Sequence, residues 1–236
     1  MRLRLPEERP TEPPTGYKIA HAVLSQDGTR AAFTGVSLGG ALPYGVLADA
    51  ACAYGLRHRP PHRRCDCGFH CVHDRTAAEA LLCTAEHRSA LLLEVTVLGA
   101  YIRFERGFRY ARQRVRSATV GPCACGTAAV GLADAGWGRP GWRALAPVCP
   151  GCAHGRTTVS LAAFARLAGE GLRVVWGGGA PDARSPAGAH SARTGVPELT
   201  VPELVAEAAL LQARLDWFQT QLARLGEPGG DGTARG

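Results

Sequence analysis

The sequence predicts an α+β protein whose β-rich core is braced by clustered cysteines and followed by an amphipathic helix. Three observations predict it. Apolar residues alternate with period two across 17–36 and 91–119, as half-buried strands do. Two close thiol pairs, Cys123/Cys125 and Cys149/Cys152, stand 23 residues apart, with Gly126 after the first and Gly151 inside the second. Finally, leucines and one phenylalanine recur at heptad spacing between 200 and 225. Aromatic residues make up only 6% of the chain, so the core calls for reinforcement, and nine cysteines can supply it as metal ligands.

Residues 1–15 contain four prolines and no apolar period, which predicts a disordered tail. Tyr17, Ile19, His21 and Val23 then share one face of a strand. Ser25-Gln26-Asp27-Gly28 is a turn, and the Asp-Gly pair between two alternating runs signals a hairpin with Arg30 to Val36 returning. Gly39-Gly40 ends it, and Pro43 to Gly55 reads as a short helix or a loop laid on the core.

The densest run of ligand-type residues follows: Cys52, His58, His62, Cys65, Cys67, His70, Cys71 and His73. Pro60-Pro61 stiffens the approach, and Gly68 frees the turn after Cys65-Asp66-Cys67. This stretch resembles a group of proteins from high-GC, actinobacterial-type genomes that share the pattern C…H-x-x-P-x-x-x-C-x-C-G. Cys52, His58, Pro61, Cys65, Cys67 and Gly68 match it. Those proteins tend to carry a later glycine–glutamate hairpin, answered here by Leu98-Gly99 and Glu105-Arg106-Gly107-Phe108-Arg109, with the glutamate closer to the glycine. The resemblance covers residues 17–118 and brings no known activity. It implies that Cys52, His58, Cys65 and Cys67 form a metal site of three cysteines and one histidine. The residues themselves leave His62, His70, Cys71 and His73 open as competitors.

Asp74 to Ser89 reads as a helix with Thr76-x-x-Glu79 as its capping box. Cys83 and His87 lie four apart on it, a ligand spacing that is more often packing. Leu91 to Thr119 is the most strand-like part, with Leu93, Val95, Val97, Ile102 and Phe104 recurring about Gly99-Ala100 and a turn at Glu105-Arg106-Gly107. Arg112, Arg114 and Arg116 share one face of the second strand.

That strand runs into Cys123, and Cys123, Cys125, Cys149 and Cys152 outline a four-cysteine zinc ribbon with Trp137 and Trp142 in its hairpin. His154 is a spare ligand. Ser160 caps a short helix, Leu161 to Ala168, and Leu172 to Trp176 is a final strand expected to close against the ribbon. The domain organisation is therefore a β-rich zinc-binding domain over 16–118 and a zinc-ribbon domain over 119–178. A Gly/Ala/Pro-rich linker over 179–197, an amphipathic helix over 198–226 and a tail over 227–236 follow. In that helix Leu204, Ala208, Leu211, Leu215, Phe218, Leu222 and Leu225 form an a/d coiled-coil seam of about three heptads, suited to self-association or a protein partner.

The net charge of +7 and pI near 9.1 permit a nucleic-acid partner. Residues 57–116 hold twelve arginines against six acids, and Arg63, Arg64, Arg112, Arg114 and Arg116 are the candidate contacts. Lys18 is the only lysine, an arginine bias expected of a high-GC genome, so arginine richness alone is poor evidence for phosphate binding. No secretion-signal pattern or membrane-length apolar run is visible, so a cytoplasmic location is expected, where clustered thiols bind metal. Hydrolase, P-loop and dinucleotide motifs are missing, and the C-x-C spacing fits neither a nucleobase deaminase nor an ordinary iron–sulfur cluster. With four protein ligands each, two zinc ions would be structural. The expectation is a non-enzymatic adaptor or regulator acting through its C-terminal helix, or alternatively a nucleic-acid-binding zinc protein; no small-molecule substrate is evident.

Overall fold

The computed structural model describes residues 12–36, 42–52 and 55–177. The linker, the helix over 198–226 with its seam from Leu204 to Leu225, and the tail beyond it lie outside the described residues.

The fold is β-rich with few helices, built on a long first hairpin strand. β1 (Thr15–Ser25) and β2 (Ala31–Gly35) pair antiparallel, with Val23 opposite Ala32. The strand starts at Thr15, and Pro14 already accepts a hydrogen bond from the Val97 amide at 2.8 Å, so these two residues belong to the sheet and not to the expected tail, whose residues 1–11 lie outside the described residues. Asp27 sets the turn: its carboxylate accepts from the Ser25 hydroxyl and from the Thr29 amide and hydroxyl, which holds its pKa down to about 2.

β1 alternates as expected, but both of its faces are buried. Ala20, Ala22 and Leu24 enter the main core, whereas Ile19 packs with Ala78, Ala90 and Leu92 beneath a helix. Pro43 to Cys52 is a loop carrying the short β3 (Leu47–Asp49). Next come β4 (Phe69–Val72) and helix α1 (Arg75–Leu82). Asp74, not Thr76, caps α1: the Asp74 side chain accepts the Thr76 amide, and Glu79 pairs with Arg75 at 2.8 Å. The helix stops at Leu82, short of the expected Ser89, and a 3-10 turn over Ala85–His87 follows.

β5 (Leu91–Phe104) and β6 (Gly107–Val120) form the long hairpin, with a register shift at the expected Gly99-Ala100 break. The pairings then close on themselves. β1 pairs β5, β5 pairs β6, β6 pairs β4 along 107–110, and β4 returns to β1 at Tyr17 and Val72. The chain is thus a small barrel at this end, with no free edge around the circuit. Gly16 and Gly107 flank the closure; a Cβ on either would run into Cys71 or Val72, so only glycine lets the strands meet there.

β7 (Gly131–Arg139) and β8 (Trp142–Val148) make the ribbon hairpin, and β9 (Thr158–Val159) pairs with β7. β8 extends the sheet along the far half of β1, with Ala22 opposite Leu145. Residues 119–120 finish β6, and Leu132, Leu145 and Phe164 share the core with Leu91, Leu93 and Val95. The two expected domains, divided at 118/119, therefore share one sheet and one core.

Helix α2 (Leu161–Ala168) is capped by Ser160 as expected, the hydroxyl accepting the Ala163 amide at 3.1 Å. It inserts Phe164, fully buried, into a chain of rings: Phe164–Phe33 at 5.8 Å, Phe33–Tyr44 at 6.1 Å, Tyr44–Phe69 at 5.3 Å and Phe69–Tyr110 at 5.9 Å. The few aromatics are thus concentrated where they matter. β10 (Arg173–Trp176) pairs parallel with β6 over Ser117–Val120, not with the ribbon. α2 carries the chain across to that edge of β6, and there Val174 and Trp176 can pack on the main core.

Candidate metal centres

Two four-residue groups bring their ligand atoms within 4.8 Å of one another: Cys52, His58, Cys65 and Cys67, and Cys123, Cys125, Cys149 and Cys152. A zinc–sulfur bond of about 2.3 Å puts two sulfurs of a tetrahedron about 3.8 Å apart. Cys52 and Cys65 are 3.9 Å apart, Cys125 and Cys149 are 3.6 Å apart, and His58 Nε2 lies 3.1 Å from Cys67 Sγ. A disulfide would need roughly 2 Å. All nine cysteines are free thiols. Both groups fit one tetrahedral ion each.

The first centre hangs on the barrel. Cys52 leaves the β3 side, His58 comes from the following loop, and Cys65-Asp66-Cys67-Gly68 turns straight into β4. Gly68 has φ +126°, and a Cβ there would come within 3.0 Å of the Arg109 side chain and 3.2 Å of the Tyr110 carbonyl. Arg109, on β6 and only 6% exposed, reaches back under the loop. Its guanidinium donates to the Cys65 carbonyl at 2.5 Å, the His62 carbonyl at 3.2 Å and the Asp66 carboxylate at 3.2 Å. It therefore fixes the backbone that aims two of the three sulfurs. Arg109 belongs to the quoted hairpin motif, but no sequence signal marks it as a brace.

The competing ligands are accounted for. His62 stacks on His58 with ring centres 4.4 Å apart, and its Nδ1 accepts the Arg64 amide at 3.3 Å. His73 Nε2 lies 3.0 Å from the Phe104 carbonyl oxygen, Cys71 is buried in the main core, and His70 is exposed on β4. Cys83 donates to the Glu79 carbonyl at 3.7 Å and joins neither group.

The second centre closes the ribbon end. Gly126 (φ +84°) donates its amide to the Cys123 carbonyl at 2.8 Å, and Cys123 donates its amide to the Thr127 carbonyl at 2.9 Å. On the other side, Ala153 donates to the Cys149 carbonyl at 2.9 Å, and the Cys152 amide points at Cys149 Sγ at 3.5 Å. Cys123 and Cys149 are buried, whereas Cys125 and Cys152 are exposed, and the expected spare ligand His154 lies outside the group. The crowded thiols cannot all carry charge alone. Hydrogen bonds from Thr127 and from neighbouring thiols bring Cys125 down to about 6, and hydrogen bonding with Cys123, Cys149 and Cys125 drives Cys152 up to about 12. In the first centre, burial pushes Cys65 up. A divalent cation would remove this conflict by deprotonating every thiol.

The arginine row does share the outer face of β6. Arg112, however, is held by Asp49 through two bonds of 2.6 and 3.0 Å, Arg114 is half-buried, and Arg116, Arg63 and Arg64 are exposed. Among the described residues no helix is long and apolar enough to cross a membrane. Compared with family models, curated proteins and solved structures, the chain matches none.

Proposed function

We propose that this is a structural-zinc protein, a binding module without catalytic activity of its own. The observation that carries the reading is that each cluster contains four protein ligands at tetrahedral spacing. Thiolate and imidazole sets of this kind suit zinc, and a filled tetrahedron offers no position where a substrate or an activated water would bind. Structural zinc contributes on the order of 10–16 kcal/mol to folding. That rivals the whole net stability of an ordinary domain, about 5–15 kcal/mol. Partner recognition then falls to surface elements, foremost residues 198–226, acting in the cytoplasm as a self-association or protein-docking helix.

Native mass spectrometry before and after chelation tests this directly. Two zinc ions per chain are expected, with loss of folded structure when they are stripped. One metal, iron or none contradicts the reading. Deleting 198–226 should abolish any oligomer and leave the metal content unchanged; an oligomer that survives the deletion removes the helix from the account.

A second reading rests on the exposed arginines Arg63, Arg64 and Arg116, which make nucleic acid the alternative partner. A binding titration across salt separates the two. Affinity that falls steeply with salt favours nucleic acid, whereas no binding at low salt excludes it.

A further inference from the structure

The two centres differ in how their sulfurs meet solvent. At the ribbon end Cys125 and Cys152 are exposed, one on each turn, whereas Cys123 and Cys149 are buried beside them. Cys125 Sγ lies 3.6 Å from Cys149 Sγ, and all four sulfurs lie within 4.8 Å of one another. A disulfide bond is roughly 2 Å long, so the gap to close is small. An open sulfur thus stands against a sheltered one on the opposite turn. That is what an oxidisable pair requires: one sulfur that a small oxidant reaches, and a second close enough to resolve it. The first centre has no exposed cysteine. Cys52 and Cys65 are half-buried, Cys67 is buried, and Arg109 grips the loop from beneath.

The ribbon hairpin also holds its place without the sulfurs. β7 and β8 pair from Gly131 opposite Val148 to Arg139 opposite Trp142, and β8 pairs in turn with β1. Leu132 and Leu145 sit in the main core. None of these contacts uses a cysteine of the second centre. A change of chemistry at the two turns therefore leaves the sheet standing.

We propose that the second centre is a peroxide-responsive zinc-release site, in which Cys125 and Cys149 form a disulfide that takes over the joining of the two turns. The inference rests on the zinc reading above. The Cys125 thiolate attacks one oxygen of hydrogen peroxide, the O–O bond breaks, and the departing hydroxide takes a proton to become water. Cys125 then carries a sulfenic acid. The Cys149 thiolate attacks that sulfur, the S–O bond breaks, and a second hydroxide leaves as water after taking a proton. In sum, two thiolates, one peroxide and two protons give one disulfide and two waters; the sulfurs lose two electrons and the peroxide oxygens gain them. With two of its four donors joined to each other, the centre no longer holds its ion. The disulfide closes a loop around the β7–β8 hairpin, so the ribbon end exchanges an ionic brace for a covalent one.

The test uses the full zinc-loaded chain, its metal counted by native mass spectrometry before oxidant is added. Fewer than two ions at that point overturn the zinc reading, and this inference with it; two ions isolate the redox step. Stoichiometric hydrogen peroxide should then release one zinc, read with a chromogenic chelator, while the chain loses the mass of two hydrogens. Non-reducing digestion should yield a peptide linked through Cys125 and Cys149, and the circular-dichroism signature of the sheet should persist. A dithiol reductant with added zinc should restore the second ion. Cys83 is exposed but joins neither group, so Cys83→Ser should respond as the wild type does. Retention of both ions after peroxide, loss of the first centre's ion before or together with the second's, or a disulfide that leaves out Cys125 overturns the proposal while the zinc reading stands.

Discussion

At the first centre, the knuckle Cys65-Asp66-Cys67-Gly68 feeds β4 and is gripped from beneath by Arg109; at the second, Cys123-Ala124-Cys125-Gly126 leaves β6 and stands on its own turn. The same four-residue pattern therefore sits in two different surroundings. Cys67 is 3% exposed in a partly covered site, whereas two of the four ribbon cysteines face solvent. The closing pairs of the barrel, β4 to β1 and β4 to β6, lie immediately beyond the first knuckle. A metal at the first centre would thus support the closure of the fold, whereas one at the second would support the ribbon end. Identical ligand chemistry does not imply equal importance; the backbone attached to the ligands decides.

The sharpest way to break this comparison is to remove one ligand from each centre. Cys67→Ser should lose the first ion and, because structural zinc contributes on the order of 10 kcal/mol, leave the chain unfolded at room temperature. Cys125→Ser should lose the second ion yet retain the far-ultraviolet signature of the barrel. Equal damage from both would contradict the ranking.

A smaller effect comes from the brace. Arg109→Met removes the donor to the His62 and Cys65 carbonyls, costing about 2–4 kcal/mol. Zinc exchange at the first centre should accelerate at least about tenfold, the equivalent of 1.4 kcal/mol, while the second centre is unchanged. Isotopic zinc exchange followed by mass spectrometry reads both centres in one sample.

The two turn glycines sharpen the contrast further. A Cβ at Gly126 meets nothing within 4 Å, so Gly126→Ala should cost only the positive-φ penalty of about 1–2 kcal/mol. Gly68→Ala adds a clash with Arg109 and the Tyr110 carbonyl and should cost about 2–3 kcal/mol, measured by denaturant titration. At the small end, Arg112→Ala breaks an exposed pair with Asp49 and should change stability by less than about 1 kcal/mol in the same titration.

Much of this was legible in the chain. Period-two alternation located both long hairpins, Ser160 gave its helix to the residue, and the C-x-C and C-x-x-C pairs gave the second ligand set because turn spacing is local information. The first set was harder: Cys52 lies thirteen residues from Cys65, and only the fold shows that His58, and not His62, brings its ring nitrogen to Cys67. Closure of the barrel was not legible, since nothing local to Tyr17 or Val72 says they will meet. Nor was the partner of Leu172 to Trp176, because strand choice there depends on which edge of β6 remains open. Arg109 looked like one more arginine in an arginine-rich hairpin.

The unequal guarding of the two centres is tested most directly by timed thiol alkylation of the zinc-loaded chain under chelation, with each cysteine read by mass spectrometry. Cys125 and Cys152 should be labelled first, together with loss of one zinc, while Cys65 and Cys67 stay protected until the barrel opens. Labelling of Cys67 before or together with Cys125 would contradict the account.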